Sequence, residues 1–190
     1  MMAALAPLRR PGGYGPDWST QPVSRDTLEE VHALMALGPA MVDASPTRVL
    51  FLTTDQSKAR LAPYLPVAGQ LRALAAPAVA IVGYDVDFAE QLVEFIPHVD
   101  GVPSCFDKPD AARRTAVRNR DLQAMYLFIA AQALGLDREV IPEFDAEGTS
   151  REFFPGQRLT AVHLCSLGFA GHLHHASETH AADQALRPPA

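Results

Sequence analysis

Apolar residues recur at helical spacing from Arg25 to Leu37, where Leu28, Val31, Leu34 and Met35 form one stripe, the pattern of an amphipathic helix. Ser24 stands where a side-chain oxygen can cap the first turn, and Gly38-Pro39 stops the helix. The pattern then changes to short unbroken apolar runs. Val49-Leu50-Phe51-Leu52 reads as a strand, and Ala78-Val79-Ala80-Ile81-Val82, opened by Pro77, as a second. The second run has no polar alternation, which predicts burial on both faces. Short helices are expected between the two, around Ser57–Leu61 and Ala68–Leu74, and a further one from Asp87 to Phe95, ended by Pro97. Residues 97–109 read as a loop.

The longest periodic stretch runs from Asp110 to Leu134 and closes at Gly135, where a left-handed residue ends a helix. From Ala124 to Ala131 nearly every residue is apolar, which predicts burial on all sides. Its beginning carries Arg113, Arg114, Arg118 and Arg120. The segment after it, Val140-Ile141-Pro142-Glu143, reads as a tight turn. Thr149-Ser150-Arg151-Glu152 has capping-box spacing and opens a short helix through Phe153-Phe154. Leu159–Leu167 is the last long strand. Residues 1–20, rich in Gly and Pro, form an irregular N-terminal arm; 21–170 form one domain; 171–190 form a histidine-rich tail. Helices alternate with only three or four strands, so the class is α+β around one central sheet.

Composition narrows the setting. At 190 residues, 48% of them apolar, one domain can bury roughly 70% of the surface its unfolded chain exposes. A net charge of −6 argues against a general nucleic-acid binder, which needs a basic face. Cys105 and Cys165, the two cysteines, make no disulfide framework and fit a reducing compartment. Ala3–Leu8 is too short for a signal-peptide core, and no apolar run reaches the roughly 18 residues of a membrane helix. The expectation is a soluble, cytoplasmic protein that meets neither membrane nor nucleic acid.

The sequence has no phosphate loop, no GxSxG elbow and no CxxC. His172-Leu173-His174-His175 with His180 has imidazoles enough for a divalent metal, but no rigid scaffold lies under it and no metal is expected. His163 lies two residues from Cys165 in a strand, so both can share a face. That spacing allows a Cys–His nucleophile, although a buried histidine beside an inert thiol is the commoner arrangement. His98 and Asp100 fit an acid/base pair or a loop cap. The arginines 113–120 fit an anionic ligand or a solvated helix start, the latter being commoner.

Spacing alone does not name a function. A resemblance carries further. Trp18, Pro22-Val23-Ser24, Thr27-Leu28, Ala33-Leu34-Met35, Gly38-Pro39 and Ala44-Ser45-Pro46-Thr47-Arg48 occur in an order continued by Ala76-Pro77-Ala78 and Phe95-Ile96-Pro97-His98. Arg118-Asn119, Gln123-Ala124, Leu134-Gly135-Leu136-Asp137, Phe144-Asp145 and Leu167-Gly168 follow. Over residues 18 to about 170 this resembles the nitroreductase superfamily, in its malonic semialdehyde reductase-like branch. The resemblance implies an α+β sandwich, a central mostly antiparallel sheet flanked by helices, in an intertwined homodimer. The long helix would form the dimer core, with two pockets at the interface. In that family each pocket holds FMN, which takes a hydride from NAD(P)H and passes it to the substrate.

Four positions depart from the family's FMN contacts. The arginine that the family places five residues before the aromatic matching Trp18 is here Gly13. Losing a charge-assisted contact to phosphate removes a few kcal/mol. The Ser/Thr-rich stretch with an asparagine at the flavin is here Ala40-Met41-Val42-Asp43. The Pro-Ile/Met-x-Gly segment, whose backbone N–H groups face the flavin, is here Val140-Ile141-Pro142-Glu143. Pro142 has no N–H, and Glu143 adds a side chain where glycine allowed close approach. The C-terminal Lys or Arg is replaced by histidines, with Arg187 beyond them.

The expectation is an enzyme on the inherited scaffold that has diverged from FMN and needs no cofactor. It would act on a small organic substrate, as in a biosynthetic pathway, by acid/base chemistry. Asp43, Glu143 and His163 are the expected catalytic residues, an apolar pocket raising the carboxyl pKa values. Ser45, Arg48, Ile141 and Pro142 would line the former FMN pocket. Two alternatives stand beside it: an FMN-dependent NAD(P)H oxidoreductase reducing an aldehyde, enone or nitro group, and a non-catalytic ligand-binding relic.

Overall fold

The computed structural model describes residues 17–38, 47–85 and 109–172. Along them run β1 (Asp17–Trp18), α1 (Arg25–Ala36), β2 (Thr47–Leu52), α2 (Asp55–Leu61), α3 (Val67–Ala75), β3 (Ala78–Asp85), α4 (Pro109–Ala133), β4 (Asp137–Ile141), α5 (Ala146–Phe153), β5 (Leu159–Gly168) and β6 (Ala170–His172). Four strands form the main sheet in the order β2-β3-β5-β4, every neighbouring pair antiparallel. Helices cover both faces, so the class is α+β as expected.

The continuous hydrophobicity of β3 is explained by its place. It lies between β2 and β5, and its successive side chains serve two cores. Ala78, Ala80 and Val82 face α1 and α4 together with Cys165 and Leu167 of β5. Val79 and Ile81 face the other way, with Leu164, Ile141, Leu61, Ala73 and Phe154. Burying a side chain such as Ile81 completely stabilises the fold by about 2 kcal/mol. Helix α1 starts where expected: the Ser24 hydroxyl accepts from the Thr27 N–H at 3.1 Å. Gly135 closes α4 at φ 81°. The turn is bound by Gly135 N–H to Gln132 O and Leu136 N–H to Ala131 O, bonds that a left-handed residue permits.

Four expectations are corrected. Helix α4 is not enclosed on all sides. Leu127, Phe128, Ala130 and Ala131 are buried, but Met125 and Ile129 are each 47% exposed and Leu122 38%. An apolar stripe at i, i+3 and i+7 is therefore wet on a single chain. Residues 137–141 form strand β4, where only a turn was expected. The charged Asp137-Arg138-Glu139 run hid it, and pairing with β5 from Asp137↔Gly168 to Ile141↔Leu164 made it.

Helix α5 begins a turn before the Thr149 cap position. Asp145 caps it instead, accepting from the Gly148 N–H at 2.9 Å. Thr149 is fully buried inside the helix. Two cap-like residues competed, and packing chose the first. Lastly, Asp17–Trp18 pairs with Ala170–His172, so β structure reaches into both segments read as arm and tail.

Candidate functional site

His163 is held by a distortion of the central strand. Val82 pairs with His163 but Gly83 pairs with Ala161, so Val162 is an extra residue, a β-bulge. The bulge leaves Ala161 in the α2–α3–α5 core while Val162 packs on the α1–α4 side. His163 turns to that same side. Its Nε2 lies 3.1 Å from Oδ1 of Asp121 on α4, and its side chain stays 28% exposed. Donor and acceptor at this contact are set by which ring nitrogen carries the proton.

The same Oδ1 accepts from Nε of Arg120 at 3.0 Å. The Arg120 guanidinium sits over the Tyr84 ring, 5.3 Å from its centroid, a cation–π distance. Arg120, Asp121, His163 and Tyr84 thus form a polar cluster where β3 ends and α4 passes. Arg120 is committed to it, while Arg114 and Arg118 are exposed.

The Cys–His nucleophile that the spacing allowed gives way to the commoner arrangement, a histidine near an inert thiol. The Cys165 Sγ–H donates to the Ser166 carbonyl at 3.4 Å, and burial pushes the thiol up to about 12, against a smaller opposing pull from Arg138. Such a thiol is inert at neutral pH.

The other described site residues come from β2 and from the end of β4. Arg48 is exposed on β2 and its Nη1 donates to the Thr47 carbonyl at 3.1 Å. Arg48 pairs with Gly83 while Val49 shares the Val82–His163 row, so Arg48 and His163 point to opposite faces of the sheet. Ile141 is buried in the α2–α3–α5 core. It is the last residue of the β4 ladder, since Pro142 has no N–H to continue it. Pro142 and Glu143 are both exposed. Asp43, Ser45, His98, Asp100, Cys105 and the histidines after His172 lie outside the described residues.

Among the described residues, no group of three His, Cys, Asp or Glu side chains is placed to hold a metal, and no helix is long and apolar enough to cross a membrane. A groove of about 660 Å³ runs between α1 and β2, floored by Val23, Leu28, Val49 and Phe51. None of the expected site residues lines it. Asp121 was not foreseen, because it lies 42 residues from His163 and only the packing of α4 on β5 brings them together.

Solved structures decide the fold family. A nitroreductase family protein from Streptococcus pneumoniae superposes with a TM-score of 0.77 at 17% identity, over 93% of this chain and 96% of that one. This chain has the nitroreductase fold. A nitroreductase-like protein from Exiguobacterium sibiricum, solved in complex with FMN, gives 0.76 at 20% identity, over 99% and 96%. An enone reductase of a gut-bacterial fatty acid saturation metabolism gives 0.77 at 17%, over 96% and 95%. No protein-family model matches the chain. At such identities the likeness establishes the nitroreductase fold and leaves the chemistry to this chain's own residues.

Proposed function

We propose that this chain is a nitroreductase-fold enzyme that works as a homodimer on a small organic substrate at the subunit interface, without ordinary FMN binding. The observation that carries this reading is the end of β4. By the resemblance, the residues after Ile141 would offer backbone N–H groups to a flavin edge. Pro142 has none to offer, and Glu143 brings an exposed carboxylate to a segment where the family keeps glycine. The segment that would face a flavin is thus built against one. Gly13 and Asp43 add sequence departures of the same kind.

The homodimer is supported by the stripe of Leu122, Met125 and Ile129. Three large apolar side chains at helical spacing stay 38–47% exposed on one chain, a surface that a second copy would cover.

Acid/base chemistry follows from the residue types. His163 supplies an imidazole as a proton acceptor, and Glu143 and Asp43 are carboxylates through which a proton would be returned. The reactions within reach are proton abstraction beside a carbonyl, with isomerisation or dehydration as its outcome.

A second reading is favoured by the FMN complex of the Exiguobacterium sibiricum protein: an FMN-dependent NAD(P)H oxidoreductase reducing an aldehyde, enone or nitro group. FMN would supply hydride transfer in that case. Purified protein separates the two. The first reading expects a colourless preparation and no quenching of flavin fluorescence on FMN titration. Stoichiometric bound flavin would overturn it. If Glu143→Gln, Asp43→Asn and His163→Gln all leave both turnover and the binding of copurifying ligands unchanged, the site assignment fails.

A further inference from the structure

The polar cluster at the β3 end of α4 has a geometry that the proposed function does not require. One carboxylate oxygen, Oδ1 of Asp121, receives both the His163 ring at 3.1 Å and Arg120 Nε at 3.0 Å. Arg120 is itself fixed over Tyr84. The histidine follows the bulged residue in an interior strand, where it pairs with Val82 of β3 and lies one residue beyond the last pair of the β4 ladder. His163 shares the α4 side of the sheet with Cys165, and its ring reaches Asp121 of that helix. Tyr84 restrains Arg120, Arg120 and its own helix restrain Asp121, and the strand restrains His163.

We infer that Asp121 is the positioning residue of His163: it holds the imidazole as the Nε2–H tautomer and leaves Nδ1 as the proton-accepting atom. This rests on the reading of His163 as an acid/base group. Asp121 acts through the ring and not on the substrate. The role matches the carboxylate of catalytic carboxylate–imidazole pairs, which fixes tautomer and orientation without itself taking the proton. Arg120 gives the carboxylate a second partner that stays charged, so the trio carries no net charge while the ring is neutral.

The arrangement also explains why the histidine is only partly buried. A ring closed in on all sides would lose its hydrogen bonds to water without gaining a route to substrate. At 28% side-chain exposure, His163 lies next in space to a helix whose neighbouring Leu122 and Met125 are also uncovered.

The test is the ring's own spectroscopic signature in the full-length protein, free of added flavin or substrate. With 15N-labelled histidine, the His163 signals are assigned by their loss in His163→Gln. At a pH where the ring is neutral, Nδ1 is expected to resonate as an unprotonated nitrogen and Nε2 as a protonated one. The expected preference for that tautomer is about tenfold or more, the scale of one charge-assisted hydrogen bond. In Asp121→Ala the two tautomers are expected to average. Asp121 is half exposed, so the variant keeps its fold, which circular dichroism verifies. A wild-type ring with mixed tautomers, or an unchanged signature in Asp121→Ala, overturns the role. Flavin content is read separately: a yellow protein with the expected tautomer sinks the FMN-free function and leaves Asp121 in place, whereas a colourless protein with mixed tautomers sinks Asp121's role alone.

Discussion

Arg72 Nε on α3 lies 3.0 Å from Oε1 of Glu139 on β4, and the glutamate side chain is only 8% exposed. The pair ties the outer strand of the sheet to the helix beneath it. It also places a charge pointing inward from an edge strand, a feature that discourages pairing with other chains. Burial raises the Glu139 pKa above the ordinary 4.5, and Arg72 opposes this only in part. A carboxyl whose folded pKa is raised binds its proton more tightly folded than unfolded. Its stabilising contribution is therefore complete below its unfolded pKa and is lost as pH rises through the folded value. Glu139→Gln is expected to flatten the pH dependence of urea unfolding in the window just above 4.5, with little loss of stability at pH 7. A variant that is strongly destabilised at pH 7 would show that the Arg72 pairing outweighs the burial cost.

Lys58 is expected to be worth more than its surface partner. It is 5% exposed, and Nζ donates to the carbonyls of Leu74 at 3.1 Å and Ala76 at 2.8 Å. Asp55, 3.2 Å away, is fully exposed. Lys58→Met leaves two carbonyls without their partner and should cost about 2–3 kcal/mol. Asp55→Ala should leave stability nearly unchanged. Thermal unfolding of both variants checks the order, which would be reversed if the ion pair dominated.

Dimerisation is expected to run through α4. Placing a carboxylate at Met125 or Ile129 removes apolar burial of about 1.5–3 kcal/mol per side chain from any interface there, at least about tenfold in Kd. Met125→Glu with Ile129→Glu should run as a monomer in light scattering at concentrations where the wild type is a dimer. Both side chains are half exposed, so a single chain has no packing reason to unfold. A wild-type monomer throughout the micromolar range would remove the interface.

Cys165 should resist chemistry until the protein opens. With the thiol pushed to about 12 and fully buried, a disulfide reagent at pH 8 is expected to leave it unmodified, as read by peptide mass mapping that separates it from Cys105. Unfolding in guanidinium should expose it. Rapid labelling of native Cys165 would revive the Cys–His nucleophile.

The chain's own pattern determined most of the scaffold. Helix α1 with its Ser24 cap, the two-sided burial of β3 and the left-handed Gly135 all follow from local rules, namely period, caps and φ. The site was legible only in part. His163 stood out by type, but its partner Asp121 is on another element, and a contact of that range has no local signal. The same limit hid β4, whose Arg138 and Glu139 look like loop residues until Phe128 and Arg72 are brought beside them. It also made α4 read as fully enclosed, since composition counts apolar residues and only packing says which side of the helix has neighbours. Tertiary structure decided those points because they depend on what lies across a gap in space. The Pro142 that ends the β4 ladder was visible from the start, for a missing N–H is a property of the residue itself.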